Sequence, residues 1–214
     1  SQNPADLEIV NIKLVKPEQV KAFEVGYKSV TENGIAVDLN AYYNIYNDFM
    51  STSRVIRPYY GEVGADLANP NVLLGLQALS NGDRRVYQVY TNTTEDVTSF
   101  GFGVGLSKKI YKDFEFGINY NHAQFDFDQA KDPSFIAGFN TPKHRVKASL
   151  GNQNLFKNFG FNFNARWSDE YLWQSSFADG MIPAVTVFDA QMNYAVPSMK
   201  SVFKISAVSY THLT

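Results

Sequence analysis

Cysteine is absent, which excludes a disulfide framework, a thiolate metal site and a cysteine nucleophile and leaves the redox compartment open. Long apolar runs are absent too: no stretch approaches the roughly 20 apolar residues that a membrane-spanning helix needs. Nor is there a surplus of charge. The 19 Lys and Arg against 21 Asp and Glu give a formal net charge of −2, and the basic residues are scattered singly, which argues against a nucleic-acid partner or an anionic surface. No Ser-His-Asp set, catalytic carboxylate pair or phosphate loop stands out, so neither an enzyme nor a bound cofactor is expected. The chain opens on Ser1, and Ser1 to Asp6 lacks the basic start, apolar stretch and cleavage site of a signal peptide. It reads as a piece of a longer protein.

What is present looks contradictory at first. Aromatic residues make up 15% of the chain, yet mean hydropathy is −0.26, the value of a soluble protein. A membrane barrel reconciles the two, because its strands alternate lipid-facing apolar residues with lumen-facing polar ones while aromatics gather at the bilayer interfaces.

Period-two alternation is the dominant signal. It predicts about eight strands, near residues 20–31, 35–48, 86–110, 114–127, 143–152, 159–172, 184–196 and 200–205. The clearest run puts Ile35, Val37, Leu39, Ala41, Tyr43 and Ile45 on one face and Asp38, Asn40, Tyr42 and Asn44 on the other. Such a run is longer than most soluble sheets use and suits a tilted membrane strand. Whether Thr94 to Thr98 interrupts the third strand as a bulge or a turn stays open. Residues 1–19 are expected to be an outer loop leading into the first strand.

Connections alternate strictly in length. Asn33-Gly34, Tyr111 to Asp113, Asn154 to Asn158 and Pro197-Ser198 are short; the segments from Ser51 to Arg84, Asp128 to Pro142 and Asp169 to Pro183 are long. Barrels of the outer membrane show this asymmetry, with tight periplasmic turns and long outer loops. Within the first long segment, Val72 to Leu79 has the makings of a short helix.

The stretches VKPEQVKAFEVGYKS (Val15 to Ser29), VDLNAYYNIYNDF (Val37 to Phe49), FNTPKHRVKASLGNQNLFKNFGFNFNARW (Phe139 to Trp167) and FDAQMNYAVP (Phe188 to Pro197) resemble the C-terminal barrel of TonB-dependent outer-membrane receptors. The resemblance covers most of Val15 to Ile205. It implies an all-β, antiparallel up-and-down meander forming a sector of a 22-stranded transmembrane barrel with a plugged lumen, placed in a Gram-negative outer membrane. It further implies active import of a scarce nutrient such as a metal chelate, vitamin or glycan. The implied partners are outer-membrane lipid, the protein's own N-terminal plug, an inner-membrane TonB complex and a small-molecule or glycan ligand. Residues 206–214, "AVSYTHLT" with the preceding Ser, resemble a translated sequencing adapter and are expected to be a non-native tail.

Candidate residues follow from position. Arg54, Arg57, Tyr59, Tyr60, Arg84 and Arg85 occupy the longest outer loop, where binding residues tend to sit, with ordinary loop surface as the alternative; Trp173 is a candidate for ligand stacking. Gly101, Gly103 and Gly105 share the lumen face, where missing side chains let another backbone approach, and with Lys143, Arg145 and Arg166 they are candidates to face the plug. A hydrated wall with local ion pairs, built from Lys147, Glu24, Asp38, Glu115 and Asp189 as well, is the competing reading. Tyr43, Tyr46, Trp167, Tyr171 and Trp173 would join an aromatic girdle. Asp126, Asp128 and Asp132 lack a full calcium-loop pattern, and His122 and His144 lack ligand-spaced companions, so no metal site is expected.

Two rivals remain at this point. A passive pore or small structural barrel would fit, since eight strands can close alone. A secreted all-β binding module would instead bury its Phe faces between two sheets.

Overall fold

The computed structural model describes residues 9–133, 135–175, 178–196 and 201–212. The turn expected at Pro197-Ser198, the start of the last expected strand at Lys200, and both extreme ends lie outside them. In chain order the first elements are β1 (Gln19–Val30), β2 (Ile35–Asn47), β3 (Met50–Pro58), helix α1 (Pro70–Asn81), β4 (Arg84–Asn92) and β5 (Val97–Lys109). Then come β6 (Phe114–Asp126), β7 (Phe135–Ile136), β8 (His144–Phe156) and β9 (Phe159–Ser168). The last are β10 (Tyr171–Gln174), β11 (Asp179–Ile182), β12 (Val185–Val196) and β13 (Ser201–His212). The chain divides into two compact units, residues 1–20, 46–97 and 127–138 in one and 21–45, 98–126 and 139–214 in the other.

The second unit is built on an eight-stranded sheet in the order β1-β2-β5-β6-β8-β9-β12-β13. Each strand neighbours the next sheet strand in the chain, which is the expected up-and-down meander. Register sorts the side chains by parity. Leu106 faces Ile118, Phe116 faces Leu150, and Phe163 lies between Leu150 and Ala190 on one face. Asn119 lies between Gly105 and Lys147, Lys147 faces Arg166, and Asn164 faces Asp189 on the other. A slip of one residue would exchange the faces, so the pattern pins the register.

The apolar face is uncovered: Phe23 is 62% exposed, Val25 71%, Met192 54% and Phe203 61%. A sandwich would have buried these residues against a second layer. Short connections close as expected where the chain tolerates positive φ. Gly34 has φ 73°, and Lys112, Asp113 and Asn158 have φ 53°, 62° and 67°. At the first of these the Thr31 amide donates to the Ile35 carbonyl at 2.9 Å and the Gly34 amide to Thr31 at 2.9 Å.

Several expected boundaries are corrected. The single strand expected over 86–110 is two strands in different sheets, because the Thr93 hydroxyl accepts the Glu95 amide at 3.1 Å and turns the chain between them. The strand expected to start at Lys143 starts at His144 and continues past residue 152 through an irregularity to Phe156, so the link to β9 is tighter than Asn154 to Asn158. The strand expected over 159–172 stops at Ser168, and Tyr171 and Trp173 belong to the separate β10-β11 ribbon. The last strand does not end at Ile205 but pairs with β12 as far as His212 opposite Val185, since backbone hydrogen bonding does not depend on side-chain identity. Alternation nonetheless fails there: Val208 is the register partner of Asp189 and so falls on the polar face.

The long segment from Ser51 to Arg84, expected to be mainly loop, is structured within the first unit. β3 pairs with β4 on one side and with β7 on the other, in the order β4-β3-β7. The helix inferred over Val72 to Leu79 runs from Pro70 to Asn81. Asn69 caps it by accepting the Asn71 amide, and Pro70 occupies a first-turn position where a missing N–H costs nothing. Its far end is a Schellman motif: Gly82, at φ 84°, donates to Leu79 and Asp83 donates to Ala78 at 2.8 Å. Val72, Gly75, Ala78 and Leu79 form the buried stripe. A Cβ on Gly75 would collide with the Glu62 carbonyl, and one on Gly61, which has φ 77°, with the Gly75 amide. The two glycines therefore allow the preceding chain to lie directly on the helix. Residues 9–18, expected to be loop, contain no strand and are tied down where the Lys16 amide and carbonyl pair with the Asn92 side chain at 2.7 and 2.9 Å.

Gly75→Ala is expected to loosen this segment, at about 1–3 kcal/mol for a strained insertion. Limited proteolysis of the full-length protein should cut between residues 59 and 83 several times faster in the variant. Unchanged cleavage would show that the tight approach is not required.

Candidate functional site

The polar face of the eight-stranded sheet carries the first candidate group. Lys28 meets Asp38 at 3.0 Å, Asn44 donates to the Ser99 hydroxyl at 3.1 Å, and Asp189 accepts from Asn164 at 2.6 Å and from Arg166 at 3.0 Å. Asn119, Lys147, Asn162, Asn164, Arg166 and Asp189 line part of an open groove of about 570 Å³. Arg166 is thus spent on a local ion pair. Arg145 and Lys147 share the face by register, and among the described residues Lys143, Arg145 and Lys147 form no ion pair. Arg145 and Lys147 thus leave a local excess of positive charge on the polar face.

Gly101, Gly103 and Gly105 do line up on this face, but the space above them is filled. A Cβ on Gly101 would lie 2.6 Å from the Tyr42 ring and 2.5 Å from the His122 carbonyl. One on Gly103 would lie 2.8 Å from the Asn40 side-chain Nδ2, and one on Gly105 2.7 Å from the Asn119 side-chain Oδ1. The glycines therefore admit side chains of the adjacent strands; any body entering from this side meets Tyr42, Asn40 and Asn119 before it meets the β5 backbone.

The second group lies in the first unit, on the β3-β4 ladder. Arg57 and Arg85 are direct register partners. The Arg85 guanidinium stands 5.9 Å from the centre of the Tyr59 ring, and Tyr87, then Tyr59, hold it above the ordinary guanidinium value through hydrogen bonds. It stays cationic throughout the accessible pH range. Tyr60 is drawn off to donate to Asp83 at 3.1 Å, and Arg84 to donate to the Leu79 carbonyl at 3.5 Å. Of the residues inferred for this loop, Arg57, Tyr59 and Arg85 are brought together, while Tyr60 and Arg84 serve the loop itself. Tyr87 was missed: it carries no signal until the strand places it beside Arg85. Trp173 is in the other unit, opposite Gly180 on the β10-β11 ribbon and 42% exposed.

Several of the remaining candidates make local contacts. Asp132 accepts from the Thr94 amide at 3.3 Å, and Lys131 bridges Glu95 at 3.2 Å and Asp128 at 3.9 Å. No group of three or more His, Cys, Asp or Glu suited to a metal occurs among the described residues. Trp167 sits on the apolar face opposite Val146, and Tyr43 on the same parity of β2 as Leu39. Tyr46 meets Phe49 edge-on at 5.6 Å. His122 and His144, isolated in the sequence, are direct register partners with ring centres 5.0 Å apart.

A meander whose greasy face is bare and whose opposite face is an asparagine and ion-pair network is the wall of a transmembrane β-barrel. No helix among the described residues is long and apolar enough to cross a membrane, which says nothing of strands. The family described as "TonB dependent receptor-like, beta-barrel" matches residues 3–208, and the chain belongs to it. In fold it is similar to the FrpB iron transporter from Neisseria meningitidis (F3-3 variant), with a TM-score of 0.55 and 12% identity over 84% of this chain. The chain spans 24% of the length of that transporter. No curated protein matched the sequence.

Gly101→Val is expected to lower the unfolding free energy by about 1–3 kcal/mol through overpacking against Tyr42 and the β6 backbone. The readout is the denaturant midpoint of the lipid-reconstituted full-length protein. Adding Tyr42→Ala should restore part of the loss; an unshifted midpoint in the single variant would contradict the packing described here.

Proposed function

We propose that this chain forms part of the wall and outer loops of an energy-coupled importer in a Gram-negative outer membrane. The single observation that carries the reading is the two-sided sheet of a receptor-family barrel, apolar and bare on one face and charged on the other. The cargo class is a scarce nutrient: a metal chelate, a vitamin or a glycan. FrpB is described as an iron transporter, which is one instance of the first class. The partners of the reading are outer-membrane lipid against the Phe-rich face, a plug domain against the polar face, and an inner-membrane TonB complex that supplies force through the plug. Lys143, Arg145 and Arg166, with the Tyr42, Asn40 and Asn119 side chains laid over Gly101, Gly103 and Gly105, would form part of the surface the plug passes.

Within this reading Arg57, Arg85 and Tyr59 contact the ligand. Two guanidiniums opposed across a ladder with an aromatic face beside them suit a planar or multiply anionic group such as a carboxylate, phosphate or catecholate. Trp173 would offer a second, stacking contact.

Deleting the gene for the full-length receptor is expected to abolish growth on one member of a panel of ferric chelates, cobalamin and oligosaccharides supplied at limiting concentration. A protonophore should stop the same uptake. Uptake that persists without the proton gradient would identify a passive pore instead. Arg57→Gln with Arg85→Gln should weaken binding of that nutrient about tenfold or more, the loss of two charge-assisted contacts, with folding unchanged. Wild-type affinity in the double variant would remove this patch from the ligand site.

A further inference from the structure

We propose that His122 and His144 form a two-imidazole site for a divalent transition-metal ion, Cu²⁺, Ni²⁺ or Zn²⁺, on the apolar face of the eight-stranded sheet. The pair closes the β6-β8 register: it is the last matched rung, followed only by the hydrogen bond from the Ala123 amide to the Lys143 carbonyl at 3.0 Å. The rings are 5.0 Å apart between centres and inclined at 46°. A metal held at the usual 2.0–2.1 Å from a ring nitrogen lies about 3.2 Å from that ring's centre, so two imidazoles sharing one ion have centres about 4.5 Å apart at the right angle of a tetragonal Cu²⁺ or Ni²⁺ site and about 5.2 Å apart at a tetrahedral Zn²⁺ site. The observed 5.0 Å lies between the two values, so the rings are spaced as two ligands of one ion would be.

Tyr120 supplies the orienting contact. Its hydroxyl oxygen is 2.7 Å from His144 Nδ1. With Nδ1–H donating to that oxygen, the lone pair resides on Nε2, and metal-binding histidines are held in place by an outer hydrogen bond of this kind. Phe100 and Phe102 stand 5.3 and 5.4 Å from the His122 ring and wall one side. Both histidines are only half-buried, and at the last matched rung of the β6-β8 ladder they sit toward the end of the apolar face, where water can complete the coordination sphere. Imidazole donors without carboxylates select Cu²⁺, Ni²⁺ or Zn²⁺ over Mg²⁺ or Ca²⁺, with Cu²⁺ bound most tightly. A bound ion would clamp β6 to β8 at the point where their ladder ends.

The test uses the full-length receptor in detergent micelles, with Cu²⁺ as the only added metal, and does not read transport, so it stands or falls apart from the importer reading. The wild type should bind one more Cu²⁺ than the His122→Gln/His144→Gln variant, with an electron paramagnetic resonance spectrum split by two imidazole nitrogens. Each single variant should lose affinity about tenfold or more and show one nitrogen fewer, while Tyr120→Phe should weaken binding yet keep both nitrogens. If a Gln variant does not fold, as judged by unheated gel mobility, His122→Phe and His144→Phe preserve the ring packing and give the same comparison. Equal stoichiometry and identical spectra in the wild type and the double variant would overturn the site.

Discussion

Backbone pairing across the eight-stranded sheet, from β1 through β2, β5, β6, β8, β9 and β12 to β13, is the constraint on which the rest depends. Hydrocarbon offers no water to satisfy an unpaired amide or carbonyl, at a cost of several kcal/mol each, so a membrane-crossing strand must have its partners on its flanks. Once pairing is obligatory, parity divides the side chains, and each residue type is left only two environments. Phe102, Leu106, Phe116 and Phe163 occupy one, and Asn119, Lys147, Arg166 and Asp189 the other.

The polar face shows how the second environment is made self-consistent. Asparagines and a few charges serve because each can donate or accept toward a neighbouring strand, as Asn164 does toward Asp189. Such contacts need volume, and glycine supplies it: Gly101 admits the Tyr42 ring and Gly103 the Asn40 amide. The glycines of β5 thus act mainly through the residues laid over them, a role that spacing along one strand does not reveal.

How much could be read in advance follows the same division. Where one face is apolar and the other polar, as in β2, β5, β6 and β9, alternation located the strand within a few residues, and the receptor resemblance supplied the barrel. β3 escaped because Arg54 and Arg57 fall on both parities there, so no apolar stripe marks it, while the alternation of β4 merges with that of β5 into one expected strand. β10 and β11, with four residues each, are too short for a period to show. The rung-by-rung register of the strand pairings was not legible. The meeting of His122 with His144, and of Arg57 with Arg85, is set by register, which one sequence specifies only after it folds.

Those two encounters share a physical peculiarity. Like charges directly opposed on a ladder destabilise it, and among the described residues Arg57 has no carboxylate partner. Two histidines on a bare apolar face likewise gain less from burial than Val or Leu would. Both pairs sit on ladders that are stable without them: β3 is held from both sides by β4 and β7 and carries buried Ser53, and β6 is matched to β8 from Phe114 onward. The neighbouring rungs meet the local cost, so each pair can persist where it stands. A ladder pinned by its other rungs can carry one that breaks the local rule, and it is at two such rungs that we propose ligand contacts.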